Sequence, residues 1–286
     1  MKHSTQTRTH LLKKLLATAT SVAVAALVLS GCSWSGEPSG ISERCQAKLS
    51  SHTTVIDIEQ AENAALIAGM TIKRSLVPRA ASIALATAYQ ESKIRNLDYG
   101  HSDSIGIFQQ RPSQGWGTIE EIMDPWYSTT QFYKTMERVK KWETKDINDV
   151  AQAVQRSAFP QAYRQHESNA RALASALTGE TPAVFSCSIQ LLGNPEPKAM
   201  TDFLTKTYGK KEITVTSTRG GLVIDTSSPR VAWAVAQGAV ANAKRYGIAK
   251  VQTQQHSWQP LPWKLSDWED DENAPTNQVL ITFTTG

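Results

Sequence analysis

"PRAASIALATAYQESKI", Pro78 to Ile94, is the stretch on which the fold turns. Proline is tolerated at a first helical position, where its missing N–H would have no helical partner anyway. The alanines behind it are the strongest helix formers. Ala84, Thr87, Ala88 and Glu91 then fall at i, i+3, i+4 and i+7, which is one face. Every residue ahead of Glu91 on that face is small, so a neighbouring element can approach closely. When buried, the Thr87 hydroxyl can bond back to a helix carbonyl. The stretch therefore reads as an alanine-rich helix, with Glu91 partly buried near its C-terminal end. Burial and the negative end of the helix dipole both disfavour an ionised carboxylate, so the pKa of Glu91 is expected to rise. A carboxylic acid kept protonated near neutral pH suits general acid catalysis of glycosidic cleavage. The plainer alternative is a solvated Glu at a helix end.

Working outward, helical signals run from the N-terminal side to about Thr178. Ala61 to Ser75 carries Leu66, Ile67, Met70 and Ile72. "DPWYSTTQFYKTMERVKKW" puts Phe132, Met136 and Val139 on one helical face. Asp146 to Gln155 and Gln161 to Leu177 predict two more helices around a short "SAFP" break. "GETPAVFSCSIQLLGNPEPK" reads as a linker. Beyond it, "EITVTSTRGGLVIDT" predicts a hairpin with a Gly-Gly turn. "SPRVAWAVAQGAVANAKRYG" predicts a helix capped by Ser228, opened by Pro229 and stopped by Gly247. "AKVQTQQ" and "NQVLITFTT" predict further strands. Trp258, Trp263 and Trp268 read as a local mini-core, with a ligand platform as the alternative. The fold class is α+β overall: a mostly α-helical domain over 45–190, then a small α+β domain of unknown role over 195–286.

The N-terminus is set apart from the fold. "MKHSTQTRTHLLKK" is basic, and the apolar run Leu15 to Leu29 is shorter than the roughly 20 residues that span a bilayer. It ends in Leu29-Ser30-Gly31-Cys32, which resembles the lipobox of bacterial lipoproteins. That resemblance implies a signal peptide over 1–31, a diacylglycerol on Cys32, palmitate among its acyl chains, and a tether over 32–44. The folded part is then expected at the outer face of the cytoplasmic membrane, lipid-anchored and extracytoplasmic. Lys2, Arg8, Lys13 and Lys14 account for the whole formal charge of +4, so the mature chain is balanced. A balanced chain without a basic run offers little to nucleic acid. Cys45 and Cys187 are expected to pair in an oxidising compartment. His52, His101, His166 and His256 are scattered, and no metal or other cofactor is expected.

The company of Glu91 sharpens its reading. An "ES" pair at a helix end, a loop, then Ser104, Gly106 and Gln109 in "SDSIGIFQQRPSQGWG" resemble the lysozyme-like superfamily of lytic transglycosylases and goose-type lysozymes. The continuation "QRPSQGWG" looks like that of actinobacterial cell-wall lipoproteins of this superfamily. The resemblance covers roughly Ala61 to Leu177 and implies a lysozyme-like helical domain with Glu91 as its catalytic acid. It implies that "GIFQ" lines a saccharide cleft: Gly106 lets the backbone approach the sugar, Phe108 packs underneath, and Gln109 bonds a ligand or its support. The family's "AYNAG"-like motif is replaced by "AVQRSAFPQAY". There Val154 stands for the aromatic, Gln155 for the amide and Ser157 for the glycine, while Tyr163 could supply a ring. Ser104, Gly106, Phe108, Gln109, Gln155 and Tyr163 are thus the expected substrate-binding residues.

The implied reaction is cleavage of the β-1,4 bond between N-acetylmuramic acid and N-acetylglucosamine by a lytic transglycosylase with a single catalytic Glu. Asp98 and Asp103 are candidates to position a water, which would make the protein a muramidase; both also read as turn residues. A non-catalytic glycan-binding or scaffold lipoprotein is the rival class. The implied partners are peptidoglycan strands, the membrane, and cell-wall synthesis or division proteins. A solute-binding lipoprotein would need two α/β lobes, and the helical first half argues against it.

Overall fold

The structure is a computed structural model that describes residues 42–285. The signal segment, Cys32 and most of the tether lie outside the described residues. The chain is α+β, with nine helices and two antiparallel sheets among the described residues.

It begins with a hairpin, β1 (Arg44–Lys48) and β2 (Thr53–Ile56), where helical signals were expected to dominate. The helices α1 (Ile58–Lys73) and α2 (Pro78–Ser92) follow. Next come α3 (Ile119–Met123), α4 (Pro125–Met136), α5 (Ile147–Gln155) and α6 (Glu167–Leu177). Polar caps set several of these starts: Asp57 and Gln60 form a capping box on α1, and Asp146 caps α5. The expected helix from Gln161 starts later, because a 3-10 turn over Arg164–His166 precedes α6.

The centre of the expected linker is a strand, β3 (Phe185–Ser188), buried throughout and paired with β1. Cys45 and Cys187 face each other in that pairing and form a disulfide across 142 residues of chain. Such a cross-link contributes about 2–4 kcal/mol by restricting the unfolded chain. Past β3 come α7 (Pro197–Tyr208) and the hairpin β4 (Ile213–Thr218) and β5 (Gly221–Thr226), whose turn is Arg219-Gly220. The long helix is cut in two, α8 (Pro229–Ala241) and α9 (Ala243–Tyr246), with Ser228 as cap and Gly247 in a left-handed stop. The strands β6 (Ile248–Thr253), β7 (His256–Trp258), β8 (Glu269–Asp270) and β9 (Gln278–Phe283) complete a six-stranded sheet of order β4-β5-β9-β6-β7-β8.

The described residues form one compact unit around one hydrophobic core, shared by segments on both sides of residue 190. α2 lies between α1, α5 and α6, and α1 in turn packs on α7 and α8. One buried amide joins the two stretches: Gln237 of α8 accepts from Val184 N at 3.0 Å and Phe185 N at 2.8 Å, and donates to Ala176 O at 2.7 Å. Trp258 and Trp268 belong to the same packing. Trp258 donates to Ser186 Oγ at 2.9 Å, and Trp268 donates to Phe185 O and meets Trp233 edge to face. Trp263 is half exposed and stands apart from them.

Candidate functional site

The face that carries Glu91 packs as its spacing predicts. Ala84, Thr87 and Ala88 are fully buried, and Thr87 Oγ1 donates back to Ile83 O at 2.8 Å. α2 stops immediately after Glu91 and Ser92, in two successive left-handed residues, Lys93 at φ 56° and Ile94 at φ 60°. For a β-branched residue this backbone is strained, by about 1–3 kcal/mol. α1 holds it in place: Gln60 donates to Lys93 O at 2.7 Å and Asn63 donates to Ile94 O at 2.8 Å. Ser92 ties the helix end to the following loop, its hydroxyl donating to Ile107 O at 2.7 Å. The serine of the "ES" pair is therefore the peg that fixes the loop beside the acid.

Glu91 itself is half-buried and looks into a cleft of about 1010 Å³, at the upper end of the usual size range of ligand sites. Tyr163 donates its hydroxyl to Glu91 Oε1 at 2.7 Å. Burial pushes the Glu91 carboxyl above its ordinary value, and the Tyr163 hydroxyl and Gln155 amide pull it only part of the way back. Burial and the neighbouring Glu91 charge push the Tyr163 phenol up as well, so it remains a donor.

The expected substrate-binding residues divide in two. Ser104, Gln109 and Gln155 line the cleft with Glu91. Gly106, Phe108 and Tyr163 are not among the lining residues. Gly106 sits at φ 78°, with the space for a side chain occupied by Ile122 of α3, so its role is a close packing turn rather than an approach to a sugar. Phe108 is fully buried and stacks on Phe132 at 4.4 Å, so it belongs to the core packing. Tyr163 is buried behind Glu91 and orients the carboxyl. The two glutamines of "FQQ" differ. Gln109, at φ 47°, donates to Tyr99 O at 3.2 Å and Gly106 O at 3.3 Å, bracing its own loop at the cleft edge. Gln110 is 1% exposed and donates to Ser128 O at 3.0 Å, so it is packing and not a ligand contact. Gln155 donates to Phe108 O at 2.7 Å, which locks α5 to the loop.

Neither candidate water-positioner reaches the cleft. Asp103 pairs with Arg111 at 2.6 Å and accepts from Ser113 N at 2.8 Å, and these bonds hold its carboxyl well below the ordinary carboxylate range. Asp98 is exposed and does not line the cleft either. Glu91 is the sole carboxylate among the lining residues.

Several lining residues escaped the sequence reading. Gln131, Lys134, Thr135 and Arg138 form one wall, and Trp116 and Phe159 add rings, Phe159 being 72% exposed. The first four stand at i, i+3, i+4 and i+7, a polar stripe beside the apolar face of Phe132 and Met136; that spacing was the available signal. Among the described residues no helix is long and apolar enough to cross a membrane, and no group of three or more His, Cys, Asp or Glu is gathered as a metal site. Set beside known proteins, the chain matches no protein-family model and no curated protein.

Proposed function

We propose that the cleft is the active site of a peptidoglycan-cleaving lytic transglycosylase, with Glu91 as its single acid and base. The observation that carries this reading is a half-buried carboxyl with a raised pKa, held by Tyr163 in a cleft lined with amides and open to solvent. The "ES" and "GIFQ" motifs support it by resemblance. Glu91 gives its proton to the bridging oxygen as the C1–O bond of the muramyl residue breaks, and the sugar's N-acetyl oxygen supports the charge at C1. The Glu91 carboxylate then takes the proton of the sugar's own 6-hydroxyl as that oxygen attacks C1. A 1,6-anhydro end results, and the acid is regenerated. Attack by a bound hydroxyl gains from proximity. The lack of a second carboxylate among the lining residues favours this outcome over a water-activating muramidase.

The test is mass analysis of fragments released from purified peptidoglycan by the protein in detergent. Anhydro ends are expected; reducing ends, heavier by one water, would make the protein a muramidase. Glycan binding without any product would favour the scaffold reading. We infer further that Cys32 carries a lipid that holds the protein at the outer face of the cytoplasmic membrane. Cys32→Ser should then leave the protein without acyl chains by mass spectrometry, and lipid on that variant would refute the assignment.

A further inference from the structure

The cleft wall formed by α4 and the turn after it is cationic. Lys134, in α4, and Arg138, in the turn after it, stand in the polar stripe of that wall. Arg156 joins them from the end of α5, where it adopts φ 54°. All three are exposed, and none of them has an ion pair among the described residues. The fourth cation of the cleft, Arg111, is already committed to Asp103.

This excess is local. Outside the signal segment the chain has as many acidic as basic side chains, yet Glu91 is the sole acid lining the cleft. A neutral sugar is recognised by amides, hydroxyls and rings, and the lining already includes Gln114, Ser104 and Phe159. Unpaired guanidinium and ammonium groups instead favour an anion.

We propose that Lys134, Arg138 and Arg156 select strands bearing carboxylates, namely the peptide stems on muramyl residues, over denuded glycan. The inference rests on the cleft being a glycan site, and it adds a charge requirement to that site. Phosphodiester polymers attached to the wall are the other source of anions.

The experiment uses the full chain in detergent carrying Glu91→Gln, so that ligand is bound but not cut. Dissociation constants are measured for soluble glycan chains with stems, for the same chains after amidase treatment, and for stem-bearing chains freed of phosphodiesters by hydrofluoric acid. Removal of stems should weaken binding by about 10-fold or more, the effect of about 1.4 kcal/mol. Removal of phosphodiesters should leave it unchanged. Adding Lys134→Gln, Arg138→Gln and Arg156→Gln together should bring stem-bearing chains to the affinity of denuded ones and flatten the salt dependence. Equal affinity with and without stems, or loss only on removing phosphodiesters, would overturn the proposal. Failure to bind any of the three would overturn the glycan reading of the cleft itself, a distinct result.

Discussion

Two carboxylates near the cleft, Glu91 and Asp103, meet opposite environments. Glu91 ends a buried helix face, has one tyrosine hydroxyl and a nearby amide for company, and is pushed toward its neutral form. Asp103 sits in an exposed loop with a guanidinium and a backbone N–H, and is held ionised. The same functional group is thus pushed toward its neutral form in one place and fastens a loop in the other. Environment assigns the role, and the pKa directions separate accordingly.

The largest effect expected is on Glu91. Glu91→Gln keeps the shape but removes the transferable proton, so cleavage of peptidoglycan should fall at least about 100-fold. The variant should also unfold at a higher temperature than the parent at neutral pH. A carboxyl whose folded pKa is raised contributes stability below its ordinary value of 4.5 and loses it as pH rises through the folded value. The difference in Tm should therefore close in acid, and a constant difference across pH would contradict a buried, protonated Glu91.

Tyr163→Phe sharpens the comparison. It removes the hydroxyl that favours the ionised form, so the Glu91 pKa should rise further. The alkaline limb of the cleavage profile should move to higher pH, with a modest drop in kcat from the looser carboxyl. A fall in rate without that displacement would reduce Tyr163 to packing. The smallest effect belongs to Asp103→Asn, which should cleave within a few-fold of the parent and still give anhydro ends. Its cost should appear as a small loss of thermal stability at neutral pH that fades below 3.8, because a lowered carboxylate pKa stabilises only above that range. A large loss of turnover would bring Asp103 back as a water-positioner.

Local periodicity made α2 legible, together with the buried face that leads to Glu91 and the caps around Pro229 and Gly247. The first sheet was hidden for a different reason. β1 and β3 are short, and their pairing joins segments 142 residues apart at the disulfide, so neither carries its own signal. Gln109 and Gln110 are neighbours of one type, and only the left-handed turn at Gln109 decides that one faces the cleft edge and the other the core. The wall around α4 follows a helical spacing, but the apolar face of Phe132 and Met136 accounts for that helix by itself, so the polar stripe beside it carries no signal beyond that spacing.

Gln237 bears on inheritance and engineering. Its amide closes the backbone of β3 and the end of α6 from a helix that arrives much later in synthesis. A chain that stops after Ile189 would leave those peptide groups facing solvent and strip α1 of the helices packed on it. The C-terminal stretch thus acts as a covalently attached subunit of the region that carries the cleft. Swapping it for an unrelated domain, or shortening the gene to its motif-bearing half, should yield aggregation rather than a smaller folded protein.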